Sequence, residues 1–368
     1  MSEPTPHCPP AVVERRSRIK SLAMLGALIL VGVSLYASRA SLPARFGVAG
    51  QDGDDKPSPQ TARAVAAANA FLEALDAKQR DTALFDFASA KKSGWSNLPV
   101  TMVARNGVRL GDLTRAQRAL AMDAVAAFLS KDGYQKVVDI MDSDQELTTG
   151  KGGGKGPKTA FGLDQYYLAF FGKPSAKEPW MLQFGGHHLG LNVTVVGKSF
   201  VLTPTHTGAQ PTSFMRMGKE VRPLGLENDA AFQLVNSLDE KQLAQAVLKE
   251  KVNNLLLGPG KDGKEIEPMG IKGSALSDKQ QAILVELIGA WVNMLEGDSA
   301  KARMAEIKGK LGDTYFGWSG PTAKGSAAYY RVQGPSVVIE YAPQGGTNHI
   351  HTVIREPGND YGKALLKR

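Results

Sequence analysis

From Thr61 onward the apolar and polar positions fall into two rounds of one plan, a helical block followed by a strand block. Three helix starts share a signature: Thr114 with Gln117, Asp239 with Gln242 and Ser277 with Gln280, each preceded by a leucine. A hydroxyl or carboxylate with Gln three residues on is a capping box, in which side chains satisfy backbone N–H groups that the first helical turn leaves without a partner. Apolar residues follow at helical spacing, Leu120, Val125, Phe128 and Leu129 in one case and Ile283, Leu287, Trp291 and Leu295 in another. These stripes belong to a core. Segments 180–207 and 327–355 are rich in β-branched and aromatic residues with alternation and Gly/Pro punctuation, and they predict antiparallel strands. Helical blocks alternating with antiparallel hairpin blocks predict an α+β fold, one domain over residues 61–368 with sub-blocks 61–225 and 226–368.

A faint internal echo accompanies the two rounds. Pro174-Ser175-Ala176-Lys177 recurs as Pro321-Thr322-Ala323-Lys324, with an apolar strand after each. Aligning Gly186 with Gly334 takes a one-residue gap and sets Asn192 against Glu340. An ancient duplication and a coincidence of loop composition both account for so few matches.

Composition places the chain among ordinary globular proteins: 368 residues, 42% hydrophobic and 22% charged. The formal net charge is +8. Residues 1–40 carry five Lys/Arg and two acids, so the remainder is near +5. Its basic residues are scattered without interleaved aromatics, which argues against a nucleic-acid partner. The N-terminal segment reads ERRSRIK, then an apolar run from Leu22 to Ala37, then SRA. That order is a secretory signal peptide over residues 1–40, cleaved after Ala40. The run is short for a membrane span, which needs about 20 residues, and an uncleaved N-terminal anchor is the alternative. Arg15-Arg16 is similar to a twin-arginine export signal, although Arg18 stands where an aromatic is usual. The expected location is the periplasm or the extracellular space. Residues 41–60 have the composition of a flexible linker. The single cysteine, Cys8, precedes the apolar run, so any metal in the mature chain must be held by His, Asp or Glu.

Several motifs fail on spacing. TGKGGGKGPKT, residues 149–159, lacks the phosphate-loop arrangement and reads as a glycine-rich surface loop. HIHTVIRE, residues 349–356, has the HxH-then-Glu spacing of a cupin but not the cupin glycines, and neither HExxH nor G-x-S-x-G occurs. The histidines are more informative: except for His7, all fall in the strand blocks, at His187, His188, His206, His349 and His351. A two-residue turn at Gly197-Lys198 pairs Val196 with Ser199 and sets Leu189 opposite His206. Strand alternation then puts His187 on the face of His206 and His188 on the other, unless Gly185-Gly186 bulges the strand and turns both the same way. In the second block, a loop over residues 342–347 sets Glu340 opposite His349 and Val338 opposite His351. His349 and His351 then share a face with Glu340, and Glu340 would orient a ligand or act as a base. If the hairpins adjoin, three or four of these five imidazoles converge as ligands for a divalent transition metal, with zinc, copper and iron all compatible. Hydrogen-bonded structural histidines are the competing reading. Arg331 and Arg355 read as salt-bridge partners or, for Arg355 above all, as a group that binds the anionic end of a small-molecule substrate.

Taken together, QFGGHHLGLN, LTPTHTGAQP, YYRVQGPSVVIEY, NHIHTVIREPGNDYG and the LTRAQR helix start resemble an exported bacterial and fungal family known only as domain of unknown function 3500. The resemblance runs from about Ala64 to Leu366 and implies one continuous domain, with no activity attached. One departure is Arg355-Glu356 where the family pattern leads one to expect Arg-Asp. The functional expectation is a metal-dependent enzyme, hydrolytic or oxidative, with a non-catalytic extracytoplasmic binding protein as the alternative.

Overall fold

Helix starts are set by the caps that the sequence announces. A computed structural model describes residues 56–150 and 160–367. The expected signal peptide, most of the expected linker and residues 151–159 of the glycine-rich stretch lie outside the described residues. Among those described, eight helices accompany a mixed, mostly antiparallel sheet, so the fold is α+β. Thr114, Asp239 and Ser277 cap α3 (Arg115–Ala126), α6 (Glu240–Ala246) and α7 (Asp278–Val292) as complete capping boxes. A fourth box, Asp76 with Gln79, opens α2 (Ala77–Ala83). The glutamines also join helices to each other. Gln117 Nε2 donates to Gln79 Oε1 at 2.9 Å, and Gln242 Nε2 donates to Gln280 Oε1 at 3.0 Å. Each cap contributes about 1 kcal/mol.

The remaining helices are α1 (Pro59–Ala74), α4 (Lys131–Thr148), α5 (Gly225–Asn236) and α8 (Gly297–Gly309). The strands are β1 (Leu84–Phe85), β2 (Val108–Arg109), β3 (Tyr167–Phe171), β4 (Trp180–Gly185), β5 (Leu189–Val196), β6 (Ser199–Val201) and β7 (Thr205–Ala209) in the first half. In the second half come β8 (Phe214–Arg216), β9 (Lys219–Val221), β10 (Ile271–Lys272), β11 (Tyr315–Ser319), β12 (Tyr329–Gln333), β13 (Val338–Pro343) and β14 (Ile350–Arg355). One sheet runs β1-β3-β4-β5-β7-β14-β13-β12-β11-β10, with β2 on β3 and β6 on β5, while β8 and β9 form a separate hairpin. Two meanders, β3-β4-β5-β7 and β11-β12-β13-β14, therefore meet at the β7–β14 pair. The two halves repeat one another. Gln183 pairs with Asn192 as Arg331 pairs with Glu340, so Asn192 and Glu340 hold equivalent places.

Strand alternation sorts the sheet into two unlike faces. Leu182, Phe184, Leu191 and Val193 pack with Phe128, Val137 and Ile140 of the first helical block. Val332, Ile339 and Ile354 pack with Leu284, Leu287 and Trp291 of the second. The opposite face carries Gln183, Asn192, His206, Arg331, Glu340, His351 and Arg355, all buried. Loops before β2 and β10 cover that face: Asn106 donates to Gln183, and the backbone N–H groups of Leu256 and Leu257 donate to Glu340. A buried polar layer of this kind holds only when its members satisfy one another, and this face is where the histidines meet.

Candidate metal centre

His187 and His188 do not lie on a strand. Gly185 pairs with Gly190, and Gly186 N–H donates to the Leu189 carbonyl at 3.0 Å, so the two histidines occupy the tight turn between β4 and β5. The expectation that strand parity would send them to opposite faces is corrected accordingly. In the turn their rings lie 3.7 Å apart, and both nitrogens Nδ1 approach Asp144. The glycines explain the tightness. A Cβ on Gly185 would stand 2.4 Å from the Leu189 carbonyl oxygen, and one on Gly186 would stand 3.0 Å from the Gln165 carbonyl oxygen. Arg105 fixes the turn from outside, with Nε and Nη2 donating to the Gly186 carbonyl at 3.2 and 2.8 Å.

The register in the first block agrees with expectation only near the Gly197 turn, where Val196 pairs with Ser199. Farther on, Leu189 faces Thr207 and Gly190 faces His206, a one-residue correction. Residues 202–204 belong to neither β6 nor β7 and absorb the extra residue. In the second block the strands run on farther than expected, and Ala342 rather than Val338 faces His351. Glu340 faces Val353 instead of His349.

The five histidines nonetheless come together. His188 and His349 rings are 5.0 Å apart, His188 and His351 5.5 Å, and His206 and His351 5.3 Å. Ring nitrogens of His187, His188 and His349 all lie within 4.8 Å of one another, a set that could hold a metal ion. His349 Nε2 is 3.0 Å from His188 Nε2 and 3.0 Å from His351 Nε2. Two nitrogens about 2.05 Å from one tetrahedral ion lie ~3.3 Å apart, so the His188–His349 spacing is close to that of shared ligands. Gly208, opposite His351, leaves room for this convergence, since a Cβ there would meet His188 Cδ2 at 3.0 Å.

Proton accounting sharpens the geometry. His188 Nδ1–H donates to Asp144 Oδ1 at 2.6 Å, so its Nε2 presents a lone pair. Asn97 Nδ2 donates to His351 Nδ1 at 3.0 Å, which leaves the proton of neutral His351 on Nε2, aimed at His349. His349 Nε2 must accept it and then faces His188 Nε2 lone pair to lone pair. A cation relieves that contact. His206 repeats the pattern, its Nδ1–H donating to the Thr352 carbonyl at 2.7 Å while Nε2 has no partner. A carboxylate or carbonyl that accepts from Nδ1–H and so fixes the tautomer is the usual arrangement of a metal-ligating histidine.

Burial is the main cause of the low basicity of these rings. It pushes His188 down to about 4 and His206 and His349 to about 3, with neighbouring imidazoles adding to the effect. His351 falls well below its ordinary value for the same reasons. All four are neutral at pH 7, the form that coordinates metal. Burial opposes ionisation of Asp144, but the His188 imidazole and its hydrogen bond, with the His187 ring close by, outweigh it and hold the carboxyl well below the usual range. The Tyr166 hydroxyl also donates to Asp144, at 2.7 Å.

Two expected site residues stand apart. Glu340 accepts from the Tyr329 hydroxyl at 2.7 Å and from two backbone N–H groups, so its oxygens are engaged in tying a loop to the sheet. The Arg355 guanidinium donates to Asp262 at 2.9 Å, to Asp360 at 2.7 Å and to the carbonyls of Leu257 and Gly258. Its charge is already paired, as in the salt-bridge reading. Asp144, Asn97, Tyr166 and Arg105 enter the site without having been anticipated. Asp144 had a signal: it interrupts the stripe Val137, Ile140, Met141, Leu147 that α4 buries, and a charge in a buried stripe requires a partner.

A family model described as "Protein of unknown function (DUF3500)" matches residues 58–363. The chain belongs to the DUF3500 family. No curated protein and no solved structure matches it. The DUF3500 match covers both halves of the sheet and every histidine of the cluster.

Proposed function

We propose that this DUF3500 protein is exported and uses its histidine cluster to bind one divalent transition metal ion for hydrolytic or oxidative chemistry. The observation that carries the reading is the 3.0 Å contact between the lone pairs of His188 Nε2 and His349 Nε2. His187, His188 and His349 are the proposed ligands, with His351 and His206 beside them. A bound ion there would supply Lewis acidity or, as copper or iron, a redox couple. Asp144 holds His188 in its ligating tautomer, and Asn97 orients His351. His349 is the least buried of the four shifted rings, which makes it the side from which a small-molecule substrate reaches the centre. Export rests on the N-terminal signal pattern, with release into the periplasm or medium, by the twin-arginine route or otherwise, and an uncleaved anchor as the alternative.

The test is elemental analysis of the purified mature protein beside its His349→Ala and His351→Ala variants, with unfolding followed with and without added zinc, copper or iron. About one ion per chain, and a metal-dependent rise in Tm that His349→Ala abolishes, are expected. Wild-type protein with neither bound metal nor a metal-dependent Tm would sink the proposal. A non-catalytic binding protein is the second reading, favoured by the engagement of Glu340 and Arg355 elsewhere. Turnover across hydrolytic and oxidative substrate panels by the metal-loaded protein separates the two.

A further inference from the structure

We infer that a cleft in the second half of the sheet binds a small organic cation of the guanidinium class. This inference does not depend on a metal at the histidines. It comes from the repeat. Asp76 and Asp239 cap equivalent helices, and 239 − 76 gives a spacing of 163. Gly107 and Gly270 keep it, since 270 − 107 is also 163, and each would drive a Cβ into an equivalent carbonyl, that of Leu168 at 2.1 Å and of Phe316 at 2.2 Å. Along that spacing Trp95 corresponds to Gly258 and Arg105 to Pro268.

The consequence is a difference in space. In the first half, Trp95 lies over Gly190, where an added Cβ would be 3.0 Å from the indole Cε3, and Arg105 donates to the carbonyl of Gly186. Only about 10 Å³ remains open beside them. In the second half, where glycine and proline replace those side chains, a cleft of about 580 Å³ opens against Gly334, the counterpart of Gly186. The chain thus shows what its own frame accepts at this place: a planar cation that donates N–H groups to the turn.

The lining agrees with that occupant. Gln333 borders the cleft, is 7% exposed, and has no partner for Oε1. Its Nε2 donates to the Ile266 carbonyl, so the amide is held with its oxygen unsatisfied. A buried acceptor left so is costly, and a ligand N–H placed on it recovers that cost. Arg355 on the same wall does not attract an anion, because Asp262 and Asp360 pair with it. Glu265 and Glu267 are offset by Lys264 and Lys363, so donor geometry rather than net charge selects the ligand. Pro335 and Pro357 supply apolar walls for the flat face of the group and its stem.

Titration calorimetry of the full mature chain with n-butylguanidinium, n-butylammonium and glucose tests the inference. One site is expected, with the guanidinium bound at least about tenfold more tightly than the ammonium and glucose not bound, tenfold being about 1.4 kcal/mol. Gln333→Leu weakens binding about tenfold or more, and Pro268→Arg, which restores an internal guanidinium, abolishes it while the near-ultraviolet dichroism stays native. No saturation by the guanidinium, equal affinity for the ammonium, binding of glucose, or indifference to Pro268→Arg would each overturn it. Should Gln333→Leu not fold, Pro268→Arg decides.

Discussion

The turns 186–189 and 334–337 are the same piece of backbone used twice. Gly186 N–H donates to the Leu189 carbonyl at 3.0 Å, and Gly334 N–H donates to the Val337 carbonyl at 2.7 Å. Between them, one turn carries His187 and His188, the other Pro335 and Ser336. Around the first, Arg105 and Trp95 fill the space, Asp144 waits on α4, and His349 and His351 arrive from β14. Around the second, the Ser336 carbonyl accepts from Arg303, and a cleft remains open. The frame tolerates either set of side chains, so stability belongs to the repeated ladder and caps. Chemistry belongs to the few positions at which the halves differ.

That contrast predicts what should break. The largest effect is expected from His188→Ala or His349→Ala, which should reduce bound metal from about one ion per chain to near none, while Ser336→Ala in the matching turn leaves it unchanged. Metal content by elemental analysis reads this directly; loss of metal in Ser336→Ala as well would erase the distinction between the turns. Next, Arg105→Met strips donors from the carbonyls of Gly186 and Ser96 and should lower unfolding stability by about 3 kcal/mol in urea titration. Substituting its counterpart, Pro268→Ala, should change stability far less.

Asp144→Asn should weaken metal binding about 10–100-fold, because the carboxylate that fixes the His188 tautomer is gone, with the Kd measured by competition against a chelator. The smallest effect is one of pH. Burial lifts Glu356 to about 6, against the opposing charge of Arg303. A carboxyl whose pKa is higher in the fold than in the unfolded chain favours folding while protonated. Its contribution is therefore present below about pH 4.5 and lost as pH rises through 6, up to ~2 kcal/mol. Comparing urea midpoints of wild type and Glu356→Gln at pH 4.5 and 7.5 isolates it from the histidines, whose lowered values act in the opposite direction.

Local signals in the chain carried far. Thr114-Gln117 and Ser277-Gln280 announced helix starts through bonds made within four residues, and such bonds need no tertiary partner. The faint alignment of Asn192 with Glu340 coincides with equal ladder positions, because a repeated register leaves a repeated spacing. His187 and His188 look, in sequence, like part of one long strand, because a three-residue turn between two strands differs from a continuous strand only by its glycines. Register departs from the symmetric hairpin pattern wherever an extra residue enters. One at residues 202–204 moved His206 off Leu189, and longer strands carried Glu340 away from His349. Period-two patterns fix the face but say little about how far a ladder extends.

By itself, then, the sequence determined the α+β class, the helix caps, the family and the set of five histidines, since each depends on residue type and short spacing. Only the tertiary structure decided which atoms those histidines present. That rests on Asp144 from α4, Asn97 from a covering loop and Thr352 from a neighbouring strand, residues 44, 254 and 146 positions away from the rings they orient. A tautomer is set by the partner on the other ring nitrogen, and here every such partner is brought in by folding.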